Sequence, residues 1–76
     1  MRRERFNEMA VNGVVEKLKK LRHERDLSQD DVYIDTDINI ARIESGKGNV
    51  SVSTIADLCN YYDISLSDFF IGIESK

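Results

Sequence analysis

Apolar residues recur along the chain at helical rather than strand spacing. Val14, Leu18 and Leu21 stand at i, i+4 and i+7 with Lys17, Lys19, Lys20 and Glu24 outside the stripe, the pattern of an amphipathic helix. Phe6 and Ala10 carry the same spacing upstream, so this helix either begins near residue 3 or restarts at Asn12–Gly13. Asp26–Leu27 breaks it. Ser28-Gln29-Asp30-Asp31 then reads as a capping box, with Ser28 facing the backbone N–H of residue 31 and Asp31 reaching back. A short helix from about Gln29 to Ile34 follows. Thr36 or Asp37 is placed to cap a third helix through Ile38, Ala41, Ile43 and Glu44, and Gly46 to end it in the left-handed conformation. Ser51 opens a fourth helix with Ile55, Leu58, Cys59 and Tyr62 on one face. Ser65-Leu66-Ser67-Asp68 repeats the capping pattern and opens a fifth, with Leu66, Phe69, Phe70 and Ile71. The prediction is an all-α chain, a compact bundle of five short helices with brief connections.

Composition supports this and removes several alternatives. The 76 residues hold no Pro and only four Gly, as suits helices joined by short turns. A chain of this size buries only about 60% of its unfolded surface, so its stability is modest, and a second copy is a common further source of it. One cysteine, Cys59, allows no internal disulfide, and one histidine, His23, allows no zinc cluster; no metal or cofactor is expected. Cys59 is placed in the core rather than as a redox sensor. No apolar run reaches the length of a membrane span, and no long apolar stretch follows Arg2, Arg3 and Arg5, so no secretory signal is expected and the cytoplasm is the default compartment. No nucleophile–base pair or glycine-rich phosphate loop argues for an enzyme or a small-molecule ligand. The net charge of −3 is unevenly spread: residues 1–25 hold eight Lys/Arg against four Glu, and residues 26–76 three Lys/Arg against ten Asp/Glu.

The run Leu18, Leu21-Arg22, Leu27-Ser28-Gln29, Val32, Ile43-Glu44-Ser45-Gly46-Lys47, then Ser51, Ile55, Leu58, Tyr62, Ile64-Ser65-Leu66 and Phe69, resembles the Cro/phage-repressor-like (XRE-type) helix-turn-helix DNA-binding family. The resemblance covers about residues 14–70. It implies a five-helix bundle of the lambda-repressor-like type over residues 14–76, with residues 1–13 a basic arm or helix extension. The second helix would lie across the DNA backbone and the third in the major groove. The double-stranded DNA contacts so implied are Gln29 to phosphate, Arg42 to base edges, and Lys47 and Asn49 to the backbone after the third helix. Arg22 and Glu44 match a family ion pair between the first and third helices.

From Leu27 to Glu44 the chain is three residues shorter than the family pattern, close to one helical turn. The deletion falls at the start of the recognition helix, where Asn39 is then the best remaining reader through a paired contact to adenine; its use in the turn explains it equally well. Asp35 and Asp37 would repel phosphate. The consecutive Phe69, Phe70 and Ile71 leave an apolar patch suited to a homodimer contact. The expected function is a dimeric, sequence-specific transcriptional regulator. The alternatives are a protein-interaction module on the same fold with weakened DNA binding, or an antitoxin or controller protein.

Overall fold

The structure, a computed structural model, describes residues 7–73. Five helices follow in order: α1 (Glu8–Glu24), α2 (Gln29–Thr36), α3 (Ile40–Glu44), α4 (Val52–Tyr62) and α5 (Leu66–Phe70). The expected basic arm with Arg2, Arg3 and Arg5 lies outside the described residues, as does Phe6.

Each helix begins where a short polar side chain satisfies an otherwise unbonded backbone N–H. Asn7 accepts from the amide of Ala10 at 2.9 Å and so sets the start of α1. The start expected near residue 3, and the alternative restart at Asn12–Gly13, are both overturned: α1 passes through Gly13 unbroken. Gly13 is there for contact rather than for a turn, since a Cβ on it would come within 2.6 Å of the Ile73 carbonyl oxygen. Ser28 and Asp31 form the full capping box of α2, with reciprocal bonds of 3.0 and 2.9 Å. The amide bond holds the Asp31 carboxyl below its ordinary range. Ser51 and Ser65 cap α4 and α5 as expected.

The third helix corrects the sequence reading twice. Its cap is Asn39, not Thr36 or Asp37. Thr36 is still helical and belongs to α2, which therefore runs two residues beyond Ile34. The Thr36 hydroxyl donates to the Val32 carbonyl at 2.7 Å and accepts from the Ile38 amide at 3.1 Å, tying the turn down. Asp37 takes the left-handed conformation, φ 63°. Asp26 and Asp63, at φ 58° and 62°, do the same after α1 and α4. Aspartate tolerates this region better than most residues, but the conformation suits glycine best. Gly46 takes it after α3 as expected, φ 73°.

The core is built from the apolar stripes. Val14, Leu18 and Leu21 of α1 meet Val32 of α2, Ile40 of α3, Ile55, Leu58, Cys59 and Tyr62 of α4, and Phe69 of α5. Phe69 is fully buried in its own chain and stands edge-on to Phe70, ring centroids 5.1 Å apart. Its expected role as a dimer contact is thereby excluded; Phe70 and Ile71 remain on the surface. The Tyr62 ring is buried as expected and receives the Arg25 guanidinium at 5.6 Å. Its hydroxyl is buried without a hydrogen-bond partner among the described residues. Burial, reinforced by the nearby Glu44 charge, raises the Tyr62 pKa to about 12. Burial likewise pushes the Cys59 thiol up, as befits a core cysteine.

One polar cluster crosses this apolar interior. Arg22 of α1 donates through Nε and one terminal nitrogen to both oxygens of Glu44 on α3, each at 2.8 Å. Both side chains are almost wholly buried. The other terminal nitrogen donates to the Leu27 carbonyl at 2.9 Å, and the Gln29 amide donates to Glu44 Oε1 at 2.9 Å. One fork thus fastens α1 to α3 and to the loop before α2, while Gln29 joins α2 to the same carboxylate. Burial pushes the Glu44 carboxyl up, but the Arg22 and Gln29 hydrogen bonds and the Arg22 and Lys19 charges outweigh it, so its pKa lies below the ordinary value. The Glu44 hydrogen bond raises Arg22 in turn.

Removing one partner strands the other charge in the interior. Glu44→Ala is therefore expected to destabilise the fold by about 3–5 kcal/mol, measured by urea denaturation. For the proton linkage, a carboxyl whose folded pKa is depressed stabilises the fold above its unfolded value, and loses that contribution as pH falls through the folded one. Thermal unfolding should thus show a midpoint that drops on acidification below about pH 4.5, more steeply in the wild type than in Glu44→Gln. A third substitution should act in the opposite direction. Asp63→Gly relieves a left-handed β-carbon and removes a negative charge from the C-terminal end of α4. It should raise the unfolding free energy by about 0.5–1 kcal/mol after the loss of chain stiffness in the unfolded state is set against it.

Candidate nucleic-acid interface

The unit formed by α2, the turn at Asp37 and α3 presents two shallow hollows, one on either side of α3. The first is lined by Arg42, Ile43, Ser45, Lys47, Gly48 and Asn49. Arg42, Lys47 and Asn49, three of the expected contact residues, are thus brought together at the C-terminal end of α3 and the loop that follows. All three are exposed. Arg42 and Lys47 form no ion pair among the described residues, so their charges face outward uncompensated. The Ser45 hydroxyl donates to the Arg42 carbonyl at 2.6 Å, tightening the last turn beneath them.

The second hollow lies between α2 and α3 and is lined by Gln29, Asp30, Tyr33, Asn39, Ile40 and Ala41. It holds the other two expected contacts, both of them partly engaged. Gln29 spends its amide N–H on Glu44, so it acts within the fold as a strut between α2 and α3. Asn39 uses its side-chain oxygen to cap α3, accepting from the Arg42 amide at 3.1 Å. The paired adenine contact needs that oxygen together with the amide N–H group. The turn-forming use of Asn39 is the one the structure displays.

α3 is short. Only Ile40–Glu44 is helical, five residues, and two of these, Ile40 and Glu44, point inward. Thr36 closes α2, and three residues, Asp37 to Asn39, connect it to α3. What remains outward is Ala41 and Arg42, with Ile43 half-buried.

Charge on this face is mixed. Glu44 is neutralised by Arg22, and Asp35 accepts from the Tyr61 hydroxyl at 2.5 Å, which raises the tyrosine pKa to about 12. Asp30 and Asp37 stay exposed without an ion pair among the described residues. The acids crowd onto α2 and its C-terminal end, while the two cations without an ion pair among the described residues sit on α3 and in the loop after it, so the positive end of the face is the Arg42–Lys47 side. Lys19 and Lys20 of α1 are each 3.8 Å from a neighbouring glutamate on their own helix.

Tyr33 escaped the sequence reading. It is 51% exposed and stands over the second hollow. The available signal was an aromatic residue adjacent to the buried Val32 on a helix of eight residues, where only one of two neighbours can face the core. Among the described residues no group of three or more His, Cys, Asp or Glu is arranged to hold a metal ion. No described helix is long and apolar enough to cross a membrane.

A family model described as the Cro/C1-type HTH DNA-binding domain matches residues 17–74. No curated protein and no solved structure matches the chain. The match takes in the C-terminal part of α1, from residue 17 onward, and all of α2 to α5. It agrees with the resemblance carried by the Leu-Ser-Gln start of α2 and the Ile-Glu-Ser-Gly-Lys end of α3. By this match and by its all-helical bundle, the chain belongs to the family of Cro/C1-type HTH DNA-binding domains.

Proposed function

We propose that this protein is a sequence-specific transcriptional regulator that binds double-stranded DNA as a homodimer, with α2 across the phosphate backbone and α3 entering the major groove. The observation that carries the reading is the convergence of Arg42, Lys47 and Asn49 around one exposed hollow at the end of α3. Two cations with no internal partner, on an otherwise acidic domain, have DNA as their natural counter-charge. Arg42 reads a base edge, with guanine the matching acceptor pair. Lys47 and Asn49 meet the phosphates that flank it. Gln29 contributes from the start of α2, holding α3 in place through Glu44 as it meets the backbone. Asn39 offers its remaining N–H group alone.

The dimer contact in this reading is the exposed end of α5, Phe70 at 43% and Ile71 at 69% exposure. Two copies joined there would address two half-sites about one helical turn, ~34 Å, apart. Residues 1–13, or the part of them preceding α1, act as a basic arm against phosphate.

A protein-interaction module on the same fold is the second reading. One observation favours it: Ile34, 77% exposed, stands on an α2 surface crowded with Asp30, Asp35 and Asp37. Such a surface is unfavourable beside phosphate and suits a protein partner.

Fluorescence anisotropy against the DNA upstream of the protein's own coding region, at several salt concentrations, separates the two readings. A regulator is expected to bind with an affinity that falls steeply with salt, by about 0.9 log units per contacted phosphate for each log unit of salt. Arg42→Ala should lose about 1–3 kcal/mol and its preference at one base pair, and Lys47→Ala should lower the salt slope by about one. No wild-type binding at about 50 mM salt would turn the function toward the protein partner. Sedimentation of a Phe70→Asp variant tests the dimer: it should be monomeric at concentrations where the wild type is dimeric.

A further inference from the structure

α3 has five residues, one turn fewer than the resemblance implies for a recognition helix, whose base contacts concentrate at its N-terminal end. The end of α3 that should read bases consists here of Asn39, whose oxygen is committed to the cap, and Ala41, a single methyl group. The hollow beside them is walled on the α2 side by Tyr33. This side chain is half-exposed, carries no resolved role in the core, and its hydroxyl makes no hydrogen bond among the described residues. A tyrosine reaches outward from its backbone by a length comparable to the pitch of one helical turn, about 5.4 Å.

We propose that Tyr33 is a specificity-determining residue, whose hydroxyl reads a base edge at the N-terminal end of α3 in place of the missing turn. The inference rests on the DNA-binding reading above and adds a reader from α2, a helix otherwise assigned to the backbone. A hydroxyl can both donate and accept, so it can meet any of the polar base edges of the major groove. A base edge fits better than a phosphate because Asp30 lines the same hollow, and an exposed carboxylate repels a phosphate oxygen placed beside it. Arg42 lies on the far side of α3, in the other hollow, and so reads a different base pair.

The test uses the full chain. Wild type selects binding sites from a library of random-sequence duplexes, and Tyr33→Phe, which deletes only the hydroxyl, is measured against the selected duplex and its single-position variants. The expected result is a loss of roughly threefold to tenfold in affinity for the selected duplex. Discrimination should be lost at one base pair of each half-site, distinct from the position lost by Arg42→Ala, with an unchanged salt slope. Discrimination equal to wild type at every position would overturn the assignment. So would a salt slope reduced by about one, the mark of a phosphate contact. Failure of the wild type to select any sequence would instead remove the DNA-reading function itself, and Tyr33's part in it. Circular dichroism of the variant confirms an intact fold, as expected for a substitution at an exposed hydroxyl.

Discussion

The buried pair of Arg22 and Glu44 is the constraint on which the arrangement of the helices turns. A five-residue helix has no independent stability: it is too short to offset its own nucleation. α3 exists because it is held at both ends. Asn39 closes its first turn from within, and Glu44 at its last residue is gripped by an arginine 22 positions earlier and by an amide 15 positions earlier. Ile40 adds an apolar anchor, 1% exposed, between these two polar ones. The pair is almost wholly buried, where a charge without its partner would be strongly unfavourable. It is fully served: both carboxylate oxygens are bonded, and Arg22 has a third acceptor in the Leu27 carbonyl.

What could be read from the sequence, and what could not, divides along the range of the interactions. The stripes of α1 and α4 were legible because burial follows the 3.6-residue period over several turns. Ser28, Ser51 and Ser65 were legible because a cap acts over three residues. The start of α3 was not, since three polar residues in a row, Thr36, Asp37 and Asn39 interrupted only by Ile38, can each cap a helix. Which one does so depends on where α2 stops, and α2 runs on because the Thr36 hydroxyl bonds back into it. The start of α1 was missed for a related reason: Asn7 is a sound cap, but the stripe continues through it to Phe6. The Arg22–Glu44 pair has no local signal at all and entered only through family resemblance. In the C-terminal aromatics, composition alone could not say which ring turns inward; the cap at Ser65 decides it by fixing the phase of α5.

The candidate interface was legible as a set of residues and not as a geometry. Arg42, Lys47 and Asn49 line one exposed hollow. Gln29 and Asn39 carry tasks inside the fold that sequence position does not reveal. The shortening before Glu44 was visible as a count, but not where the helices on either side of it begin and end. Asp37 takes the left-handed conformation after α2, and α3 follows with five residues. The acids on α2 set this domain apart from a simple basic surface, and its exposed cations on this face stand at the end of α3.

The clamp around α3 bears on the thermodynamics of recognition. A short helix that had to fold on meeting its ligand would spend part of the contact free energy on ordering itself. Here Arg22, Gln29 and Asn39 hold the helix in its final shape beforehand, and Ser45 fastens the backbone beneath Arg42. The ordering entropy left to the moment of association is then that of a few long side chains. Recognition by so small a face would accordingly show the modest heat-capacity change of near rigid docking rather than the large one of coupled folding.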